Sequence, residues 1–198
     1  MLINLGKTTL LAPLPVVMVS CRGTEGVYDK SNIFTAAWAG VVCTQPPCVS
    51  VSIRPSRFSY EQILQSGEFA VNLVNEPLLR SCDYCGVKSG RDIDKFAECK
   101  LDAATFEEMP RLPVIRSAPA ALLCKVVSKT ILGSHTQFIG EVTAVKVQDV
   151  LVDSSGRVCL ERAELVAYSH GDYVSLGKKL GFFGYSVASE KALERRMR

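Results

Sequence analysis

The sequence predicts a mainly β protein, a closed or half-closed antiparallel β-barrel with a few inserted helices. Three observations lead there. Six short runs rich in Val, Ile, Leu and Phe follow one another, separated by turn residues. One of them, CVSVSIR, alternates strictly, with Val49, Val51 and Ile53 on one face and Ser50, Ser52 and Arg54 on the other. The helix-prone stretches are too few and too short for the regular strand–helix alternation of a doubly wound sheet.

Taken in order, the strand-like runs are LPVVMVSCR, AWAGVVC, CVSVSIR, FAVNLV, ALLCKVVSKTIL and FIGEVTAVKVQDVLV. A helix is expected over Tyr60–Gln65, with Ser59 as its N-cap and Gly67 just past its end. Two more are expected over Glu76–Cys85 and Ile93–Cys99, the second capped by Asp92. The proline-interrupted stretch Leu101–Pro119 reads as an extended loop, and ASEKALERRMR as a helix-prone tail. No repeat or linker divides the chain, so one domain is expected over residues 1–198, with its tail from about residue 186.

Composition narrows the function classes. With 198 residues, 47% of them hydrophobic, the chain can bury a core and is not disordered. Its 23 basic and 20 acidic residues leave a net charge of +3, too small and too mixed for a nucleic-acid or membrane-surface protein. The start, MLINLGKTTLLAPLPVV, carries one Lys and an apolar run broken by Pro13 and Pro15, so no signal peptide is expected. No run approaches the length of a membrane span. A cytoplasmic location follows, in which the eight cysteines are mostly free thiols. Cys21, Cys43 and Cys124 fall within apolar runs, where Cys behaves as a small buried hydrophobe.

The usual nucleotide loops, GxGxxG and GxxxxGK[ST], are missing, as are GxSxG, HExxH and an EF-hand loop. A site must therefore be assembled from scattered residues. CDYC (Cys82 to Cys85) has CxxC spacing and reads as a redox dithiol, half of a zinc site, or incidental thiols. The two imidazoles sit in GSHTQF (His135), in a turn entering the last long strand, and in SHGDY (His170), at a loop tip. The richest polar cluster is SIRPSRFS, where Arg54, Arg57 and Ser59 lead into a helix N-terminus. Forked guanidinium donors beside free helix amides make an anion cradle. KSGRDIDKF adds further cations around Gly90, and NIFTAAW spaces Asn32, Thr35 and Trp38 by threes beside small residues.

In sequence order, NIFTAAW, a Pro-Pro pair, the alternating strand, the Arg57–Ser59 step, GEFAVNL, SGRDIDKF and GSHTQFIGEV resemble the flavin reductase-like proteins, with flavoredoxin and archaeal ferric reductases the nearer likeness. The resemblance runs from about Pro13 to about Gly184. It implies an FMN-binding split barrel that works as a homodimer. It places Asn32, Thr35, Ala36 and Trp38 along the isoalloxazine and ribityl chain. Arg54, Arg57 and Ser59 fall at the phosphate, Lys95 on FMN, and Tyr168 near the ring. His135 matches the histidine beside the flavin where the nicotinamide docks, and is the catalytic candidate; Cys43 matches a cysteine near the flavin in the ferric reductases. The implied activity moves electrons from NADH or NADPH through FMN to free flavin, a ferric complex or a redox partner protein. The alternatives are a non-enzymatic FMN carrier and a zinc or iron–sulfur module built on the cysteines.

Overall fold

The computed structural model describes residues 1–197. Its strands are β1 (Leu14–Pro15), β2 (Val17–Arg22), β3 (Ser31–Ala36), β4 (Ala39–Thr44), β5 (Pro47–Ile53), β6 (Glu68–Leu73), β7 (Ala103–Phe106), β8 (Met109–Ile115), β9 (Ala120–Leu132), β10 (His135–Val147), β11 (Val166–Ser169) and β12 (Asp172–Ser175). The helices are α1 (Phe58–Ser66), α2 (Leu79–Val87), α3 (Lys95–Glu98) and α4 (Glu190–Met197), the last within the predicted tail. Arg198, at the end of that tail, lies outside the described residues.

Seven strands form one antiparallel sheet in the order β3-β2-β6-β9-β10-β5-β4. Its two edge strands, β3 and β4, are joined by only Ala37 and Trp38. Two residues cannot span the width of a flat sheet. The sheet therefore curls until its edges meet at that corner, and among the described residues no β3–β4 ladder seals the seam. This is the half-closed barrel expected from the sequence, and it is split where the two edges face each other.

The barrel interior is apolar because the strands alternate as read: Val49, Val51 and Ile53 of β5 point inward with Val17, Val19, Phe34, Phe69, Cys124 and Phe138. β2 is buried on both faces. Its Met18 packs outward with Ile33, Leu78, Cys82, Cys85 and Phe96, forming a second core beneath α2 and α3. The β7–β8 hairpin covers a third group, Met109, Leu112, Val114, Ala121 and Leu123.

The structure corrects several local expectations. The Leu101–Pro119 stretch is not a loop: it forms the two-stranded β7–β8 ribbon, with Pro110 and Pro113 on β8, where ladder donors can be spared. SNIFTA (Ser31–Ala36) forms β3, an edge strand. α1 starts at Phe58 with Arg57 as N-cap, not Ser59, although Gly67 does close it in the left-handed region at φ 67°. The first turn expected at Glu76 is a 3₁₀ turn capped by the Asn75 side chain, and α2 begins at Leu79. α3 is a single turn capped by Asp94, whose carboxylate accepts from the Phe96 and Ala97 amides; Asp92 is not the cap. His135 is the first residue of β10, after the Gly133–Ser134 turn. Cys21 and Cys124 are buried as expected, but Cys43 is exposed on β4.

Candidate functional site

A cleft of about 710 Å³ opens at the corner of the seam. Three segments build it: Phe34–Trp38 from β3 and the corner, Ser52–Ser59 from the end of β5 into α1, and Cys85–Arg91 from α2 into the following loop. Tyr168, Tyr173 and His135 complete the walls. A volume of this size suits a cofactor-sized ligand.

The α1 end is built for an anion. The Arg57 amide donates to the Arg54 carbonyl at 3.0 Å, turning the chain through Pro55 into the helix. Arg57 offers the helix no side-chain acceptor, so the first amides of α1 stay uncapped toward the cleft. Five cationic side chains line the cleft (Arg54, Arg57, Lys88, Arg91 and Lys95) against one carboxylate, Asp83. Among the described residues none of the five is engaged in an ion pair. Arg91 lies over the Phe58 ring, 5.8 Å from its centroid, while Asp83 accepts a hydrogen bond from the Tyr173 hydroxyl at 3.1 Å.

Ser59 and Asn32 belong together, though in different roles. Asn32 Nδ2 donates to Ser59 Oγ at 2.9 Å and to Gln62 Oε1 at 2.8 Å. Gln62 in turn donates to the Tyr28 and Lys30 carbonyls. This net fixes Ser59 with its oxygen already accepting, so its hydroxyl proton is the group left to offer. Asn32 itself is 2% exposed and does not line the cleft; it stands behind the wall. Its Oδ1 is buried without a partner and faces Gly90, where a Cβ would lie 2.1 Å from it.

Lys95 is buried yet cleft-lining. Its Nζ donates to the Ile33 and Cys85 carbonyls, both at 2.7 Å, which leaves one N–H toward the cleft. The Ile33 carbonyl belongs to an edge strand, so Lys95 also satisfies an acceptor that no neighbouring strand reaches. Burial holds the Lys95 ammonium below its usual pKa, with Arg57 adding to that and the nearby thiols opposing it. Thr35 donates its hydroxyl to the Cys82 carbonyl and joins β3 to α2.

Beside the end of β5, where the Trp38 carbonyl accepts from the Ser52 amide and Thr136 pairs with Ile53, the Trp38 and His135 rings lie nearly parallel, 4° apart with centroids separated by 6.4 Å. His135 Nδ1 sits 2.9 Å from the Ser134 hydroxyl. Tyr168 meets Tyr173 edge-on at 5.7 Å.

Of the residues singled out in the sequence, Thr35, Ala36, Trp38, Arg54, Arg57, Ser59, Lys95, His135 and Tyr168 line this one cleft. Asn32 lies behind it. Cys43 lies away from it, cross-strand to Cys48. His170 occupies the β11–β12 turn with φ 49°. Sequence reasoning missed Tyr173, Asp83 and Ser56. Tyr173 pairs with Tyr168 across the β11–β12 hairpin, more than 70 residues after the Phe34–Lys95 part of the lining, and no local spacing signals that. Among the described residues no cluster of three metal-ligating side chains forms, and no helix is long and apolar enough to cross a membrane.

Residues 10–177 match the family described as "Flavin reductase like domain". Flavoredoxin from Desulfovibrio vulgaris (Miyazaki F) superposes with a TM-score of 0.87 at 30% identity, over 95% of this chain and 100% of that one. FMN reductase (NADH) RutF of Pseudomonas syringae pv. syringae is 30% identical over 125 residues, covering 63% of this chain and 70% of that protein. The FMN-binding protein from Thermus thermophilus shares the fold, with a TM-score of 0.74 at 24% identity over 90% of this chain and 95% of that one.

Proposed function

From the premise that the chain belongs to the flavin reductase-like family, we propose that the cleft holds FMN and that the protein passes electrons from NADH or NADPH through it to free flavin, a ferric complex or a partner protein. The observation that carries this reading is the lining of the cleft. An uncapped helix start, two guanidiniums and the Ser59 hydroxyl line the same cleft as the flat surfaces of Trp38, His135 and Tyr168. A phosphate dianion joined to a planar ring system needs that combination within one cleft.

Bound FMN would supply the hydride and electron chemistry. The chain's own residues hold and orient. Arg54, Arg57 and Ser59 would donate to the FMN phosphate oxygens, with Asn32 keeping Ser59 in place. Thr35, Ala36 and Tyr168 line the length of the site, and Lys95 places a cation along it. Trp38 and His135 form a stacked platform where a nicotinamide can lie, His135 serving as donor or support and not as a required base. No proton has to leave a protein group for hydride transfer to proceed.

The working unit we propose is a homodimer. It is supported by strongly exposed apolar side chains on the barrel wall, Val41 at 79% and Ile131 at 76%. The likeness to flavoredoxin favours a second reading, an FMN carrier reduced by another protein. An anaerobic mixing experiment separates the two. If NADH or NADPH bleaches the visible absorbance of the holoprotein, the reductase reading stands. If neither does, while a chemical reductant bleaches it, the carrier reading replaces it. His135→Ala is expected to retain FMN and to be reduced more slowly by nicotinamide, by roughly tenfold or more.

A further inference from the structure

The CxxC spacing of Cys82 and Cys85 does not produce a pair. Cys82 Sγ points at Thr35, 3.8 Å from its hydroxyl. Cys85 Sγ instead meets Cys99 Sγ at 3.9 Å, across the gap between α2 and the end of α3. Cys85 is buried and lines the cleft, whereas Cys99 is half-buried. Fourteen positions separate the two thiols. Between them lie Gly86 to Arg91, six consecutive residues that all line the cleft, and Lys95, bonded to the Cys85 carbonyl.

We propose that Cys85 and Cys99 are a reversible dithiol–disulfide couple, and that closing the bond fastens the Gly86–Asp94 segment as a fixed wall of the cleft. A disulfide needs its sulfurs about 2 Å apart, so they must close by roughly 2 Å, a movement that rotations about the two Cα–Cβ bonds can span. The order of reaction follows from exposure. Burial pushes the Cys85 thiol up to about 12, with Cys99 adding to it, so Cys85 stays protonated and shielded. Cys99 is the sulfur an incoming oxidant meets.

With a peroxide as the two-electron oxidant, the Cys99 thiolate attacks one peroxide oxygen. The O–O bond breaks, Cys99 becomes a sulfenic acid, and the departing hydroxide takes a proton to become water. Cys85 sulfur then attacks Cys99 sulfur. The S–O bond breaks, the S–S bond forms, and the Cys85 thiol proton leaves with the hydroxyl as a second water. Two thiols are oxidised and one hydrogen peroxide is reduced to two waters. An external dithiol reverses the step, and the bond would be transient in a reducing cell.

Formation of the bond does not depend on what the cleft holds; only its effect on FMN retention rests on the function proposed above. The test uses the full chain, reduced and then exposed to hydrogen peroxide, with remaining thiols alkylated before digestion without reductant. Mass spectrometry is expected to find a Cys85–Cys99 linked peptide that disappears with dithiothreitol and is absent from Cys99→Ser. Hydrogen exchange across Gly86–Asp94 is expected to slow about tenfold on oxidation, and FMN release with it, neither changing in Cys99→Ser. Peroxide that modifies Cys43 while Cys85 and Cys99 both remain alkylatable overturns the couple. A linked peptide with unchanged exchange overturns the clamp. If FMN does not bind at all, the proposed function falls, while the peptide and exchange results still decide the clamp.

Discussion

At the residue scale, the cleft depends on side chains that do not touch its contents. Asn32 spends both amide protons on Ser59 and Gln62, and its Oδ1 is left buried and unpaired. Leaving such an acceptor dry costs about 1–3 kcal/mol, and only a residue without a Cβ lets the loop lie against it. Gly90→Ala would place a methyl 2.1 Å from that oxygen, so either Asn32 or the loop must shift. We expect a stability loss of about 1–3 kcal/mol with weaker FMN binding, read by urea unfolding and by flavin titration; no change in either would show that the contact is soft. Arg54 tests the front of the wall. Removing one charge-assisted partner of a phosphate costs about 1.5–3 kcal/mol, so Arg54→Ala should weaken FMN binding by roughly 10- to 150-fold. An unchanged dissociation constant by fluorescence quenching would place the phosphate elsewhere.

At the element scale, the shortest helix has the largest positional role. α3 is a single turn, too short to be stable on its own propensity. It is held by the Asp94 cap, which accepts from two amides, and by Phe96, inserted into the core beneath it. Asp94→Ala removes both cap bonds and should cost about 1 kcal/mol. Because the turn carries Lys95, it should also loosen FMN, and Asp94→Asn should restore most of both losses. Thermal unfolding with and without FMN reads the two effects separately. The same element shows where sequence reading reaches its limit. Asp92 and Asp94 are both good caps by residue type, and the sequence alone does not separate them; in the fold the turn that Asp94 caps carries Phe96 into the core. CVSVSIR was legible because alternation is a property of one strand. β3 was not, since an edge strand with Ser, Asn, Thr and one Ala lacks a strong apolar signal. β7 and β8 hid behind prolines that a marginal two-stranded ribbon tolerates. Ser59 was read as a cap because its chemistry suits one; the Pro55 turn starts the helix one residue before Ser59, and Asn32 takes the hydroxyl oxygen instead.

At the scale of the whole molecule, the site exists because a sheet curls and fails to close. Nothing in the local pattern of β3 or β4 says that their edges meet, yet the two-residue corner makes it unavoidable, and the unsealed seam is where the cleft opens. The thiols are distributed by the same architecture, and they set how the molecule responds to alkali. Burial pushes Cys21 and Cys124 up to about 12 and Cys82 to about 11, from the ordinary 9.0; Ser59 and Lys95 only partly offset this at Cys21, and Thr35 at Cys82. A thiol whose folded pKa is raised keeps its proton in the native state while the unfolded chain loses one. Its stabilisation is therefore whole below pH 9 and is lost as pH rises toward its folded value. Lys95 acts in the opposite sense, because burial lowers its pKa from 10.5 and the folded state sheds its proton first. With Cys85, four strongly raised thiols stand against one ammonium, and the net effect is a loss of stability in alkali. Under reducing conditions the urea midpoint is expected to hold between pH 7 and pH 8.5 and to fall steeply above pH 9. Cys124→Ala, which removes one titrating thiol from the barrel core, should be less stable at neutral pH yet lose less of its remaining stability in alkali. A wild-type midpoint that is flat to pH 11 would mean that these thiols reach water in the native state, and that the barrel is open well beyond its seam.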